Sequence, residues 1–209
     1  MTSRGRTRGR KEKAREERPV TLVVCEGETE RRYFGHVRER LRANGIVVRL
    51  SDKSNPQAIL ACAKREKRRL EKEGLDVART WVVFDAETEA VQRERRYAET
   101  VAEALRAGFG VANSSPCFEY WPLLHFAPGI VVVDPTDAER ELAKKGRVPG
   151  YSKPDLPFER LWELYETGTP SRAAARRRED CEALGENPRF ARPVTFVDEL
   201  VDELVHTYR

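Results

Sequence analysis

Short apolar runs recur along this chain with room for one helix between each pair, and that alternation constrains the fold more than any other feature. Residues 20–25, Val-Thr-Leu-Val-Val-Cys, are β-branched or apolar throughout, as expected of a strand buried on both faces. Thr29 is placed to cap a helix carrying Tyr33, Phe34, Val37 and Leu41 on one stripe and ending near Asn44-Gly45. Residues 46–50 read as a second strand. Asn55-Pro56 supplies an N-cap with proline in the first turn, opening a helix that runs to Gly74 with Ile59, Cys62, Ala63 and Leu70 inward. A third strand spans 80–84. Thr88 then caps a helix bearing Val91, Ala98, Val101, Ala102 and Leu105, stopped by Gly108, and 109–112 is a short fourth strand. Strands alternating with amphipathic helices imply βαβ units, hence an α/β fold with a parallel sheet flanked by helices. Right-handed crossovers align the carboxyl ends of such strands along one edge, where open α/β sheets bind their ligands.

Beyond residue 115 the pattern changes. Residues 118–126 are dense in aromatic and apolar side chains and read as a short buried helix interrupted near Pro122. A further strand is expected over 130–133, a helix over 137–145, and a Gly/Pro-rich loop over 148–157. Ser171 is positioned to cap an Arg-rich helix closed by Gly185. Thr195 and Asp198 resemble a capping box for a last helix, on which Val197, Leu200, Val201, Leu204, Val205 and Tyr208 share a stripe. That stripe suits either the core or the seam of a homodimer. The expected organisation is a disordered basic tail (1–18), an α/β core (19–135) and a C-terminal helical extension packed on the core (136–209).

Composition excludes several classes. No apolar run approaches the ~20 residues of a membrane span, and no apolar segment follows the basic N-terminus, so no secretory signal is expected. Cys25, Cys62, Cys117 and Cys181 are scattered without a CxxC pair, which favours reduced thiols in a cytoplasmic protein. His36, His125 and His206 lack zinc-ligand spacing. Residues 1–18 hold eight basic and three acidic side chains, a net +5 against +4 for the whole chain, so the remainder is slightly acidic. Such a tail suits phosphate backbones through counterion release, or simply solubility.

Acidic residues stand where the apolar runs end. Glu26, Glu28 and Glu30 follow the first strand, Asp85 and Glu87 the third, and Glu119 lies beyond the fourth. Like charges crowded together resist ionisation, and a hard cation such as Mg²⁺ relieves that cost with oxygen ligands. Glu28 is explained by the helix dipole alone. Glu26 sits before the helix at the strand end, where metal binding is the better reading, and Glu30 converges on it if the helix begins at once. His125 could move a proton near such a site, although a histidine inside Leu-Leu-His-Phe suits a hydrogen-bonded core position. Lys153 could stabilise transition-state charge or be an ordinary loop lysine. Basic faces at 64–72 and 172–178 suit phosphates or plain solvation.

VVCEGETERRYF at 23–34, VVFDAE at 82–87 and NSSPCFEYWPLLHF at 113–126, with YSKP at 151–154 and NPRFARPVTFVDELVDEL at 187–204, together resemble the RloB family, which is related to the Toprim catalytic domain. The resemblance implies a Rossmann-like parallel sheet with Glu26 as the acid after the first strand and Asp85 and Glu87 as the pair after the third. Glu87 stands where Toprim folds carry Asp. Similarity to OLD-type nucleases implies Glu30 and Glu119 as further ligands. It also implies a Mg²⁺- or Mn²⁺-dependent nuclease acting on RNA or DNA in anti-phage defence and abortive infection. An ATPase partner, or a non-catalytic binding or sensor subunit, belongs to the same context. A chain of 209 residues has no room for the companion domains of a topoisomerase or full primase.

Overall fold

The computed structural model describes residues 19–86 and 91–209. The expected cap Thr88, the ligand candidate Glu87, the side chain of Val91 and the basic tail 1–18 lie outside the described residues. In chain order the elements are β1 (Thr21–Cys25), α1 (Glu28–Arg40), β2 (Ile46–Leu50), α2 (Pro56–Lys72), β3 (Arg79–Asp85), α3 (Val91–Arg106), β4 (Gly110–Ser115), α4 (Tyr120–Phe126), α5 (Pro135–Leu142), α6 (Phe158–Glu166), α7 (Thr169–Ala183), β5 (Val194–Thr195) and α8 (Val197–Tyr208). The five strands form one sheet in the order β2-β1-β3-β4-β5. The first four are parallel and β5 is antiparallel to β4. The α/β expectation therefore holds.

Side chains alternate across each strand, so β1 feeds two cores at once. Val23 and Cys25, with Trp81, Val83 and Ala112, face α1, α6 and α8. Leu22 and Val24, with Val82, Phe84 and Val111, face α2 and α3. Complete burial of such side chains stabilises by roughly 1.5–3 kcal/mol each, which is why a strand covered on both sides reads as an unbroken apolar run. A third cluster, built on Tyr120, Leu123, Leu124, Ala138, Leu142 and Ala174, joins α4, α5 and α7. Val197, Leu200, Val201, Leu204 and Tyr208 of α8 are buried in the first core. The α8 stripe is core and not a dimer seam.

Asn55 caps α2 as expected, accepting a hydrogen bond from the Ala58 N–H at 2.9 Å. Elsewhere tertiary pairing moves the expected boundaries. Helix α1 begins at Glu28 on an N-cap at Gly27, and Thr29 is buried within its first turn. Strand β4 extends to Ser115 because its polar end pairs on both sides, Asp85 with Ser114 and Ser115 with Val194. Pro122 does not interrupt α4: it occupies the first turn, where no intrahelical N–H is required. Residues 130–133 form no strand, and Val131 and Val133 are exposed; the fifth strand is β5. Helix α5 starts at Pro135, capped by Asp134, whose side chain accepts from the Thr136 N–H. Helix α7 starts at Thr169 on Gly168, whose φ of 71° is left-handed, and Ser171 instead donates to Asp202. Thr195 lies in β5 and accepts from the Val197 N–H at 3.2 Å, while Asp198 pairs with Arg178 at 2.6 Å rather than completing a capping box. All four cysteines are free and buried.

Candidate functional site

The sheet order reverses between β1 and β3, and this switch point is where open α/β sheets leave a crevice at their carboxyl edge. Two sequence-predicted acids meet there. The Glu26 N–H donates to the Val83 carbonyl at 3.0 Å, carrying the β1–β3 ladder one residue past β1. The Glu26 carboxylate in turn accepts the Asp85 N–H at 2.9 Å. Glu26 is thus clamped to the very strand end that presents Asp85.

Gly27 is extended, with φ −122° and ψ 170°, a conformation any residue adopts. Its requirement is spatial. A Cβ at this position would stand 2.6 Å from Oε2 of Glu30, so the glycine leaves the space into which Glu30 folds back from the first turn of α1. Glu30 is buried.

The fourth acid comes from the β4–α4 connection. Glu119 is 1% exposed. Its Oε1 accepts from the Tyr151 hydroxyl at 2.9 Å and pairs with Lys153 Nζ at 3.0 Å. Lys153 also reaches Glu139 at 3.0 Å, so one ammonium ties the loop before α6 to both α4 and α5. The other Glu119 oxygen, Oε2, is buried with no hydrogen-bond partner. Glu26, Glu30, Asp85, Glu119 and Lys153 line one cleft of about 570 Å³, with Arg32 at its margin held by Glu28 and Asp155.

Burial dominates the electrostatics and like charge adds to it. The Asp85 carboxyl is pushed well above its usual range by desolvation, then by Glu30, Glu26 and Glu119, with Lys153 opposing. Glu30 is pushed up to about 7, first by burial and then by Glu26 and Glu119. Burial and Glu119 likewise push up the Tyr151 hydroxyl and the Cys117 thiol. Glu28 is exposed to solvent and lowered to about 2 by hydrogen bonds from Arg31 and Arg32, in keeping with a helix-terminus role.

His125 is not part of this cleft. Its Nδ1 bonds the Trp121 carbonyl at 2.9 Å, its ring packs edge-on against Trp121, and burial lowers it to about 4. It is a neutral core residue, and Tyr120 and Trp121 are packed beside it. The basic face of α2 is engaged in ion pairs, Lys64 with Glu103, Arg65 with Asp52 and Arg69 with Glu73. On α7, Arg177 donates to the Arg192 and Pro193 carbonyls just before β5 and Arg178 to the Thr195 carbonyl within it. Sequence reasoning missed Tyr151 and Glu139. Tyr151 stands in the YSKP segment beside Lys153, a signal that a hydroxyl donor accompanies the lysine.

The acidic groups lining the cleft are all carboxylates, their mutual repulsion is what a hard cation relieves, and Glu119 Oε2 is a buried acceptor without a partner. These features fit a divalent ion. Among the described residues, no three Asp, Glu, His or Cys side chains close around a single point as they stand; Glu87 lies outside them.

An α/β sheet whose switch point gathers the carboxylates of Glu26, Glu30, Asp85 and Glu119 with the Lys153 ammonium, and has Glu28 and Arg32 on the same cleft, defines the class of this protein. The family model for RloB-like proteins matches residues 21–204, nearly all of the described chain, and the chain belongs to the RloB-like family. No significant match was found among curated proteins or among solved structures. Among the described residues no helix is long and apolar enough to cross a membrane.

Proposed function

We propose that this chain is a Mg²⁺- or Mn²⁺-dependent phosphodiesterase acting on nucleic acid, a nuclease serving anti-phage defence. One observation carries the reading: acids from the end of β1, from α1, from β3 and from the β4–α4 connection converge at the sheet's switch point, Glu30 and Glu119 buried and Glu119 with an unpartnered oxygen. The Toprim-like placement of Glu26 and Asp85 supports it. Glu26 and Asp85 would hold the ion, joined by Glu87 and, around the same or a second ion, by Glu30 and Glu119. When bound, such an ion lowers the pKa of a coordinated water and offsets charge on phosphoryl oxygens.

The chain's own residues do the rest. Glu26 fixes the strand end that carries Asp85 through the Asp85 N–H. Tyr151 and Lys153 orient Glu119 by occupying Oε1, and Oε2 is left buried without a partner. Lys153, exposed and lining the cleft, supplies a positive charge for a phosphate entering it. The test is cleavage of labelled RNA and DNA panels in Mn²⁺ by the wild type, Glu26→Gln and Asp85→Asn. The glutamine retains an acceptor for the Asp85 N–H. Both variants should lose cleavage while melting as the wild type does; identical product patterns from all three remove the catalytic claim. The Lys153–Glu119 pair favours a second reading, since the cleft carries its own cation. In that reading the chain is a non-catalytic nucleic-acid-binding or sensor subunit of an ATPase partner, and binding survives both substitutions.

A further inference from the structure

A second cleft of about 600 Å³ lies between α7 and the turn that follows α4, and the acidic site does not explain it. The two clefts diverge at adjacent residues, Glu119 lining the acidic one and Tyr120 the other. One wall of the second cleft is basic, formed by Arg172, Arg176 and Arg177, with Asp180 the acid among its lining residues. Residues four apart on a helix share a face, and Arg172 and Arg176 both line this cleft. Arg172 spends one nitrogen on the Thr167 carbonyl at 3.1 Å, and Arg177 spends Nε and one terminal nitrogen on Pro193 and Arg192 carbonyls. Arg176 makes no hydrogen bond or ion pair with the described residues and is exposed. Pro128, Gly129, Ile130 and Val131, a largely apolar stretch, also line the cleft. Val131 is 66% exposed, an unusual position for a β-branched side chain beside three arginines.

A cleft of this volume, apolar on one wall with a few convergent polar groups on the other, has the dimensions and chemistry of a small-ligand site. Planar guanidinium forks suit phosphate oxygens bidentately, and the apolar wall suits a flat ring. We propose that this cleft binds a nucleoside phosphate, the phosphate on Arg172 and Arg176 and the base against Pro128–Val131. The ligand is either a free nucleotide or the terminal nucleotide of a strand. The site stands apart from the nuclease reading, because none of its residues faces the acidic cleft.

The experiment is equilibrium binding to the full chain by calorimetry. The probes are AMP, ATP, inorganic phosphate and a single-stranded decanucleotide, applied to the wild type, Arg176→Gln, Arg172→Gln/Arg176→Gln, and Arg95→Gln on α3 as a charge-matched control. Arg176→Gln removes no described hydrogen bond or ion pair, so its fold is not at issue. Expected is at least tenfold weaker binding of AMP or ATP in Arg176→Gln and a greater loss in the double variant, with Arg95→Gln as the wild type. Binding of the decanucleotide but of neither mononucleotide, abolished in the same variants, assigns the cleft to a strand end. Equal affinity for phosphate and AMP overturns the nucleoside part of the proposal. Wild-type affinity in the double variant, or no binding of any probe at millimolar concentration, overturns it altogether.

Discussion

Glu30 folds over Gly27 into space already facing Glu26 and Glu119, and the position of its proton follows from that crowding. Its folded-state pKa is raised to about 7, whereas an unfolded glutamate titrates near 4.3. Below the lower value both states are protonated. Between the two values the folded chain holds a proton that the unfolded chain has released, so this group's contribution to stability falls as pH rises from about 4.5 to 7 and is constant above. Glu30→Gln abolishes that loss. The variant should match the wild type near pH 4 and exceed it at pH 8 by an amount on the order of 3 kcal/mol at most. Urea denaturation from pH 4 to 8 in EDTA measures the difference. Asp85 bends the wild-type curve in the same direction, so the quantity to compare is the gap between the two curves. A gap that stays constant across that range refutes the assignment.

Strands β3 and β4 are locked together by an approach that their sequences hide. Trp81 pairs with Gly110 across the ladder, and a Cβ on Gly110 would stand 2.3 Å from the indole ring. The ring has nowhere to go, because its Nε1 donates to Glu203 of α8 at 2.9 Å and Glu203 is held by Arg79 at 2.6 Å. Gly110→Ala should therefore destabilise the fold by about 1–3 kcal/mol, the usual cost of overpacking, read as a lower urea midpoint; a loss under about 0.5 kcal/mol means the ring yields. The same long-range logic separates what was legible in the sequence from what was not. Strands β1 and β3 are apolar runs covered on both faces, and the α2 cap is a local dipeptide, so pattern alone revealed them. The polar end of β4 and the two residues of β5 are strand only because they pair with each other across about 80 positions. Glu26 and Asp85 could be placed because strand ends share an edge in any parallel βαβ sheet. The Tyr151–Lys153 grip on Glu119 depends on how a loop packs against α4 and α5, which no periodicity encodes.

Charge at the scale of the whole molecule is divided against the proposed activity. The chain from residue 19 onward is slightly acidic while residues 1–18 carry a net +5, and the carboxyl groups of the cleft at the sheet edge offer a phosphate backbone no attraction of their own. Lys64, Arg65, Lys67 and Arg69 on α2 are paired with neighbouring acids, so a polymer substrate gains most from attraction by another part of the chain. The tail is the part of the sequence with that surplus. Removing residues 1–18 leaves the described hydrogen bonds in place: Val20 still bonds Asp76 and the Pro19 carbonyl still accepts from Tyr208. The truncated chain should bind a single-stranded oligonucleotide at least tenfold more weakly at 50 mM salt. Its plot of log affinity against log salt should be shallower, by about 0.7 for each phosphate that the tail no longer neutralises. The gap between full-length and truncated chains should close toward 0.5 M salt, where screening falls to a few ångströms. Cleavage of a dinucleotide in Mn²⁺ should be unchanged, which separates substrate capture from chemistry. An unchanged salt slope would mean that phosphates are gripped elsewhere, and the exposed arginines of α7 would then be the next residues to neutralise.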